Sequence, residues 1–365
     1  MKKNVLYLCF LIICLVIVGC SNKDSIKKDR EEKQKEEMQK EEMQKENQDT
    51  TNKNKELLKK EKFSVWTTYW DTENIDKEVG SLQDQIDNVC YFAAYFNEDK
   101  QPFIPEKVTD TYEMIKANYK LYSFNNYLTF VNDLLIEDGS SSLKDTDLLY
   151  TLLSTEEARN NHINEILQMT IQGGFDGIEI DYEGMKKDIK LWKFYIQFIN
   201  ELYQAAAVKG VLVRIVIEPG VPIDENFEFP DGPEYVMMCY NLYGYGTKPG
   251  PKANKEFLLE MVKKMEVFPG KVNFAVATGG FDFAKDGMVV QVSEVKATQL
   301  AKEYDKTPKR DEESQSLVFS YIDNNGMSHE VWFADNQTIQ YWFDVIKEAG
   351  DYGLSIWRIG GNIFE

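Results

Sequence analysis

The chain of 365 residues carries 42 Lys and Arg against 61 Asp and Glu, a formal charge of −19, with 43% hydrophobic and 13% aromatic residues. That apolar content is enough for a substantial core and excludes disorder of the whole chain. The acidic balance excludes nucleic acid as the main partner, since a binder of phosphate backbones must supply positive charge.

At the amino terminus, Lys2 and Lys3 precede an apolar run from Val5 to Val18, shorter than the roughly 20 residues that span a bilayer but suited to the core of a secretory signal. The run ends Ile17-Val18-Gly19-Cys20-Ser21. This resembles the bacterial lipobox, whose cysteine becomes lipidated and then amino-terminal. The expectation is a signal peptide at 1–20, lipidation at Cys20, and an extracytoplasmic protein held to the membrane through that anchor. Residues 21–62 hold nearly balanced basic and acidic side chains, and Glu-Glu-Met-Gln-Lys occurs at 36–40 and again at 41–45. With no apolar stripe to bury, this segment reads as a charged, flexible tether. Cys9 and Cys14 would leave with the signal, so only Cys90 and Cys239 remain in the body, too few for a disulfide framework or a zinc cluster.

From Phe63 onward, short runs rich in β-branched and aromatic residues alternate with segments of helical period. The runs are Phe63 to Trp70, Asn88 to Phe96, Lys120 to Asn125, Phe175 to Tyr182, Val211 to Ile217, Tyr235 to Asn241, Lys271 to Ala277 and Gly353 to Arg358. The clearest helices are Lys187 to Val208 and Asn254 to Met265. Eight parallel strands over residues 63–365 predict an α/β fold, a (β/α)8 TIM barrel. A doubly wound open sheet is the alternative, but no Gly-x-Gly-x-x-Gly follows an early strand. Tyr127 to Gln172 reads as more than one helix with a loop at Asp138 to Ser142. Between the seventh and eighth runs, Ser316 to Ile322, Asn324-Asn325-Gly326 and His329 to Phe333 read as a hairpin within a small α+β insertion at about 284–335.

The most informative segment is Asp176-Gly177-Ile178-Glu179-Ile180-Asp181-Tyr182-Glu183-Gly184. Side chains alternate faces along a strand, so Glu179, Asp181 and Glu183 share one face and Ile178, Ile180 and Tyr182 the other. In a barrel the apolar face packs on the helices and the acids point inward, toward the carboxyl end where such barrels place their sites. Mutual repulsion is expected to raise at least one carboxyl pKa, as a general acid at neutral pH needs.

This run resembles the Asp-Gly-x-Asp-x-Asp-x-Glu signature of glycoside hydrolase family 18, the chitinase-like (β/α)8 enzymes. Met238-Cys239-Tyr240-Asn241 resembles the family's strand-six segment, and Gly353-Leu354-Ser355-Ile356-Trp357 its strand-eight segment ending in tryptophan. Tyr321, Asp323, Gly326, His329, Val331, Trp332 and Phe333 match a pattern of the spore-germination and cell-wall branch. The resemblance implies a retaining hydrolase of β-1,4-linked N-acetylglucosaminides in cell-wall glycan such as peptidoglycan, or in chitin-like oligomers. It implies neither cofactor nor metal. The implied partners are an N-acetylated polysaccharide or oligosaccharide and, through the anchor, the membrane. A non-catalytic, lectin-like member of the same fold is the alternative.

On this resemblance Glu183 is the acid and later the base. Asp181 orients the substrate's 2-acetamido group, whose oxygen is the nucleophile, and Tyr240 donates its hydroxyl to that group. Trp357, Asn241, Glu179, Tyr69 and Tyr95 are implied to bind sugar. Glu218, at the end of the fifth run, is a further candidate ligand contact. Two departures stand out: Glu179 replaces the family's usual inner Asp or Asn, and Ser123-Phe124-Asn125-Asn126 replaces Ser-x-Gly-Gly on the third strand. The two histidines, His162 and His329, are too few for a histidine metal site. His162 reads as surface or packing, and His329 as within reach of the cleft from the hairpin.

Overall fold

The computed structural model describes residues 61–72, 74–136, 140–222 and 227–364. The expected signal peptide, Cys20 and almost all of the tether lie outside the described residues, as do Asp138 and Gly139 of the expected loop. No described helix is long and apolar enough to cross a membrane.

Seven parallel strands come first: β1 (Phe63–Thr68), β2 (Ile86–Phe96), β3 (Asn125–Leu135), β4 (Gly177–Asp181), β5 (Leu212–Ile217), β6 (Glu234–Met238) and β7 (Lys271–Ala277). Four further strands, β8 (Gly279–Ala284), β9 (Val289–Val292), β10 (Leu317–Ile322) and β11 (Ser328–Ala334), precede the eighth barrel strand, β12 (Gly353–Trp357). Parallel pairing runs from β1 through β7 to β12, and β12 pairs back onto β1, so the sheet closes into a barrel. Closure leaves the barrel strands without a free edge.

The helices between them are α1 (Ile75–Leu82), α2 (Glu106–Asn118), α3 (Thr146–Leu153), α4 (Glu156–Gly173), α5 (Ile189–Lys209), α6 (Lys255–Met265), α7 (Glu294–Glu303) and α8 (Asn336–Ala349). Around the carboxylate strand the sequence dictates their ends. Thr155 caps α4 by accepting from the Ala158 N–H, and Gly174 in the left-handed region closes it, three residues before β4 begins at Gly177. Asp188 caps α5 by accepting from the Leu191 N–H, and Leu191, Trp192, Tyr195, Phe198, Ile199 and Leu202 then bury one face of that helix.

The third strand departs from expectation. It is Asn125–Leu135, and Lys120 to Phe124 is instead a turn and loop in which Tyr122 and Phe124 stack on each other at 5.8 Å. Tyr127 to Val131 is buried throughout, and a barrel strand enclosed on both faces loses the polar alternation that marks a strand in sequence. Ser123 to Asn126 therefore lies at the amino end of the barrel, and the carboxyl end of strand three is Val131 to Leu135.

The insertion between β7 and α8 is a five-stranded antiparallel sheet in the order β9, β8, β11, β10 and then the two-residue strand Lys309–Arg310, with α7 packed on it through Ala297, Leu300 and Ala301. It begins at Gly279, directly after β7, earlier than about 284. His329 stands within this sheet rather than in the cleft: its Nδ1 lies 2.9 Å from Asp282 Oδ1, and its ring stacks on Tyr321, whose hydroxyl donates to Asp282 at 2.6 Å. The Asp323 carboxylate accepts the N–H groups of Asn325 and Met327 and shapes the hairpin turn. These contacts give the Tyr, Asp and His of the sequence pattern a structural role in the hairpin.

Candidate active site

The barrel interior is polar at its base. Arg214 of β5 is fully buried and pairs with Glu179 Oε2 at 2.9 Å and Glu234 Oε2 at 2.5 Å, and it donates further to Ser64 and Ser355. Glu179 also accepts from Trp66 Nε1, Thr129 Oγ1 at 2.8 Å and Cys90 Sγ at 3.3 Å. A buried carboxylate needs a partner of opposite charge and filled acceptor sites, and here it has both. Glu179 is 0% exposed, so it is enclosed beneath the cleft and does not reach a ligand. The structure places the Glu179 carboxylate on Arg214 rather than among the groups lining the cleft.

One step up the strand stands Asp181, whose Oδ1 is buried with no hydrogen-bond partner. Its carboxyl is pushed well above the usual range, by burial first and then by the charges of Glu183 and Glu179. Glu183 is raised too, burial again leading, with Lys144 opposing and Glu218 reinforcing the rise. Burial rather than the mutual repulsion expected from sequence is thus the larger cause.

Glu183 lies just past the end of β4, and Asn132 of β3 fixes its backbone. The Glu183 N–H donates to Asn132 Oδ1 at 2.8 Å, and Asn132 Nδ2 donates to the Glu183 carbonyl at 3.0 Å. The next N–H, of Gly184, donates to Glu218 Oε2 at 2.8 Å, which places Glu218 at the cleft floor. Lys144 Nζ lies 2.5 Å from Glu183 Oε2.

These groups open into a cleft of about 320 Å³ lined by Phe92, Lys144, Asp181, Glu183, Glu218, Pro219, Met238, Tyr240, Asn241 and Trp357. It sits at the carboxyl end of the barrel strands. Tyr240 and Trp357 are stacked at 14° with centroids 6.5 Å apart, and Phe92 meets Trp357 edge-on at 4.9 Å. Burial, then the charges of Asp181 and Glu183, raises the Tyr240 hydroxyl well above its ordinary value, so it stays protonated and able to donate. Asn241 is exposed, with φ of +61°.

The structure therefore brings together Asp181, Glu183, Tyr240, Asn241 and Trp357. Tyr95 and Tyr69 do not line this cleft directly: Tyr95 is buried, the two rings meet edge-on at 6.0 Å, and they pack in one cluster with Phe92, which does line it. Sequence reasoning missed Asn132, Lys144 and Arg214. Among the described residues, no cluster of three or more His, Cys, Asp or Glu side chains is arranged to hold a metal. What the cleft offers is a proton donor with a raised pKa, a buried acceptor awaiting an N–H, a phenolic donor and a flat aromatic face.

Comparison with known proteins places the chain in a family and a fold. The sequence profile described as Glycosyl hydrolases family 18 matches residues 62–362. A cortical fragment-lytic enzyme of Bacillus cereus is 28% identical over 244 residues, which is 62% of this chain and 55% of that protein. A cortical fragment-lytic enzyme of Bacillus anthracis is 27% identical with the same coverage, so the chain spans little more than half the length of these relatives. Among solved structures, the Bacillus cereus spore cortex-lytic enzyme SleL superposes with a TM-score of 0.66 at 23% identity, over 83% of this chain and 72% of that one. A chitinase of Chromobacterium violaceum gives 0.67 at 17% identity, over 82% and 95%. At these identities the superpositions speak to the fold, the closed (β/α)8 barrel. The profile match covers most of the chain, and the chain belongs to the glycosyl hydrolases of family 18.

Proposed function

We propose that this chain is a retaining glycoside hydrolase that cleaves β-1,4-linked N-acetylglucosaminides by a substrate-assisted mechanism. The observation that carries the reading is the buried, unpartnered Oδ1 of Asp181 beside Glu183, Tyr240 and the Trp357 ring. A buried acceptor without a donor is costly, and the N–H of a 2-acetamido group would satisfy it.

In the first step Glu183 gives its proton to the glycosidic oxygen, the bond from that oxygen to the anomeric carbon breaks, and the acetamido oxygen bonds to the same carbon. Asp181 holds the acetamido N–H and offsets the positive charge of the oxazolinium intermediate, while Tyr240 donates to the acetamido oxygen. In the second step the Glu183 carboxylate takes a proton from water, the water oxygen attacks the anomeric carbon, and the ring opens with net retention. Trp357 presents a flat apolar face to the sugar, and Asn241 a polar edge.

Cell-wall glycan is the substrate we favour over chitin. Two considerations support it: relatives bear the name cortical fragment-lytic enzyme, and the Ile17 to Ser21 sequence suits a lipoprotein held outside the membrane. Mass spectrometry of products from cell-wall glycan and from N-acetylglucosamine oligomers tests the reading. Fragments ending in reducing N-acetylglucosamine, released by the wild type and lost in Glu183→Gln, are expected. Saturable binding of the oligomers without cleavage would replace it with the sugar-binding reading.

A further inference from the structure

Among the described residues that line the cleft, Lys144 is the one cation. The charged and titratable groups facing Glu183 are otherwise acidic or phenolic: Asp181 on β4 with Glu179 below it, Asp133 at the end of β3, Glu218 after β5 and Tyr240 after β6. An ammonium at 2.5 Å from one carboxylate oxygen in such surroundings strongly favours the ionised form of that carboxyl.

Several features of the chain press Lys144 into this place. Its N–H donates to Asp133 Oδ1 at 2.7 Å, and its backbone takes φ of +54°. Asn132, the residue that clamps Glu183, also holds the next residue along, since Asp145 N–H donates to the Asn132 carbonyl at 2.8 Å and Asn132 Nδ2 reaches the Asp145 carbonyl at 3.3 Å. Gly184 has φ of +84°, and a Cβ there would meet the Lys144 carbonyl oxygen at 3.0 Å and its Cβ at 3.2 Å. The residue after Glu183 thus has to be small for the Lys144 backbone to come this close. One asparagine and one glycine hold the acid and the lysine-bearing segment in a fixed relation, while the lysine side chain itself is 50% exposed and has a flexible stem.

We propose that Lys144 is a positioning residue that sets the charge of Glu183: it holds the carboxylate form before substrate enters; when substrate separates the ammonium from Oε2 the carboxylate takes a proton from solvent and passes it to the glycosidic oxygen, and the ammonium pairs again with the carboxylate left behind. The proposal rests on the reading of Glu183 as the acid. In balance, Lys144 keeps its own proton throughout: Glu183 takes one proton from solvent as substrate displaces the ammonium, gives it to the leaving oxygen in the first step, regains one from the attacking water in the second, and returns it to solvent when product leaves and the pair re-forms. The pair opposes protonation of the free enzyme's acid and favours the carboxylate that the second step requires.

The test has an arm that does not depend on turnover. Carbon NMR of carboxyl-labelled glutamate in the full chain follows Glu183, whose resonance is identified by its loss in Glu183→Gln. In Lys144→Gln the Glu183 midpoint should rise by about one pH unit, and in Lys144→Arg it should stay near the wild type. In the wild type, raised salt should move the midpoint in the same direction as Lys144→Gln, since the half-exposed Lys144 ammonium is open to screening. The second arm is the pH profile of kcat/KM, which reports the free enzyme's acid. Its basic limb should move up by the same amount in Lys144→Gln and return in Lys144→Arg. An unmoved midpoint, or a uniform loss of kcat with the limb in place, would overturn the proposal and leave Lys144 as a loop anchor. Absence of hydrolysis by the wild type would instead overturn the functional reading, and the NMR arm would still decide the pairing.

Discussion

Asn132 makes two reciprocal hydrogen bonds with the backbone of Glu183, accepting from its N–H at 2.8 Å and donating to its carbonyl at 3.0 Å. Asn132 is 1% exposed and lies on β3, so the position of the acid is set from a neighbouring strand as well as from its own. Asn132→Ala removes both bonds and leaves buried backbone groups unpaired. It should cost about 2 kcal/mol of stability and, by letting Glu183 shift, lower kcat by about 10²-fold. Urea unfolding and steady-state kinetics on the same preparation measure the two effects. A stability loss with unchanged kcat would show that the clamp does not position the acid.

At the base of the barrel, Arg214 neutralises Glu179 and Glu234 with no exposure of its own. Arg214→Met leaves Glu179 charged in a closed interior and should destabilise the protein by about 3–5 kcal/mol. Adding Glu179→Gln should recover part of that loss, so a double-mutant cycle by denaturant unfolding should yield a coupling energy of the same sign as the pairing. Additive losses would mean that the two side chains do not share their charge.

The pH dependence of stability has two opposed contributions. The Asp181 carboxyl is raised in the folded state by burial first, so its contribution is fully present below the unfolded value of about 4 and is lost as pH rises through the folded value. Asp181→Asn should therefore be more stable than the wild type at neutral pH while losing activity. His162 behaves in the opposite way. Buried against Phe198 and Tyr182, its imidazole is pushed down to about 3, so its contribution is present above about 6.5 and lost as pH falls toward 3. Thermal unfolding from pH 4 to pH 8 should show His162→Gln with a shallower decline on the acid side than the wild type. Parallel curves for wild type and variant would contradict the assignment.

For the amino terminus, the expectation rests on sequence. Expression of the full chain in a bacterial host with labelled fatty acid should label the wild type and not Cys20→Ala, and only the wild type should fractionate with membranes. Equal labelling would remove the anchor from the account.

The parts of the site that were legible in sequence are those encoded locally. Glu179, Asp181 and Glu183 declare themselves because a period of two separates acids from isoleucines within one strand. The partners that surround them were not legible. Arg214 meets Glu179 only through the pairing of β4 with β5, and Asn132 and Lys144 reach Glu183 across 51 and 39 residues. An asparagine or lysine in a polar loop carries no periodic mark. Strand three was misplaced for the related reason that Tyr127 to Val131, enclosed on both sides, reads as apolar without alternation. For Tyr69 and Tyr95 the aromatic runs alone do not separate a packed cluster from a sugar platform; both pack with the cleft residue Phe92 rather than lining the cleft themselves.

The most direct test of the account is proton NMR of the anomeric signals in the first minutes of N-acetylglucosamine oligomer cleavage, with wild type and Glu183→Gln side by side. The account predicts that the β-anomer appears first and then mutarotates, that Glu183→Gln releases nothing, and that oligomers lacking the acetyl groups are left intact. First appearance of the α-anomer, or full cleavage by Glu183→Gln, would contradict it.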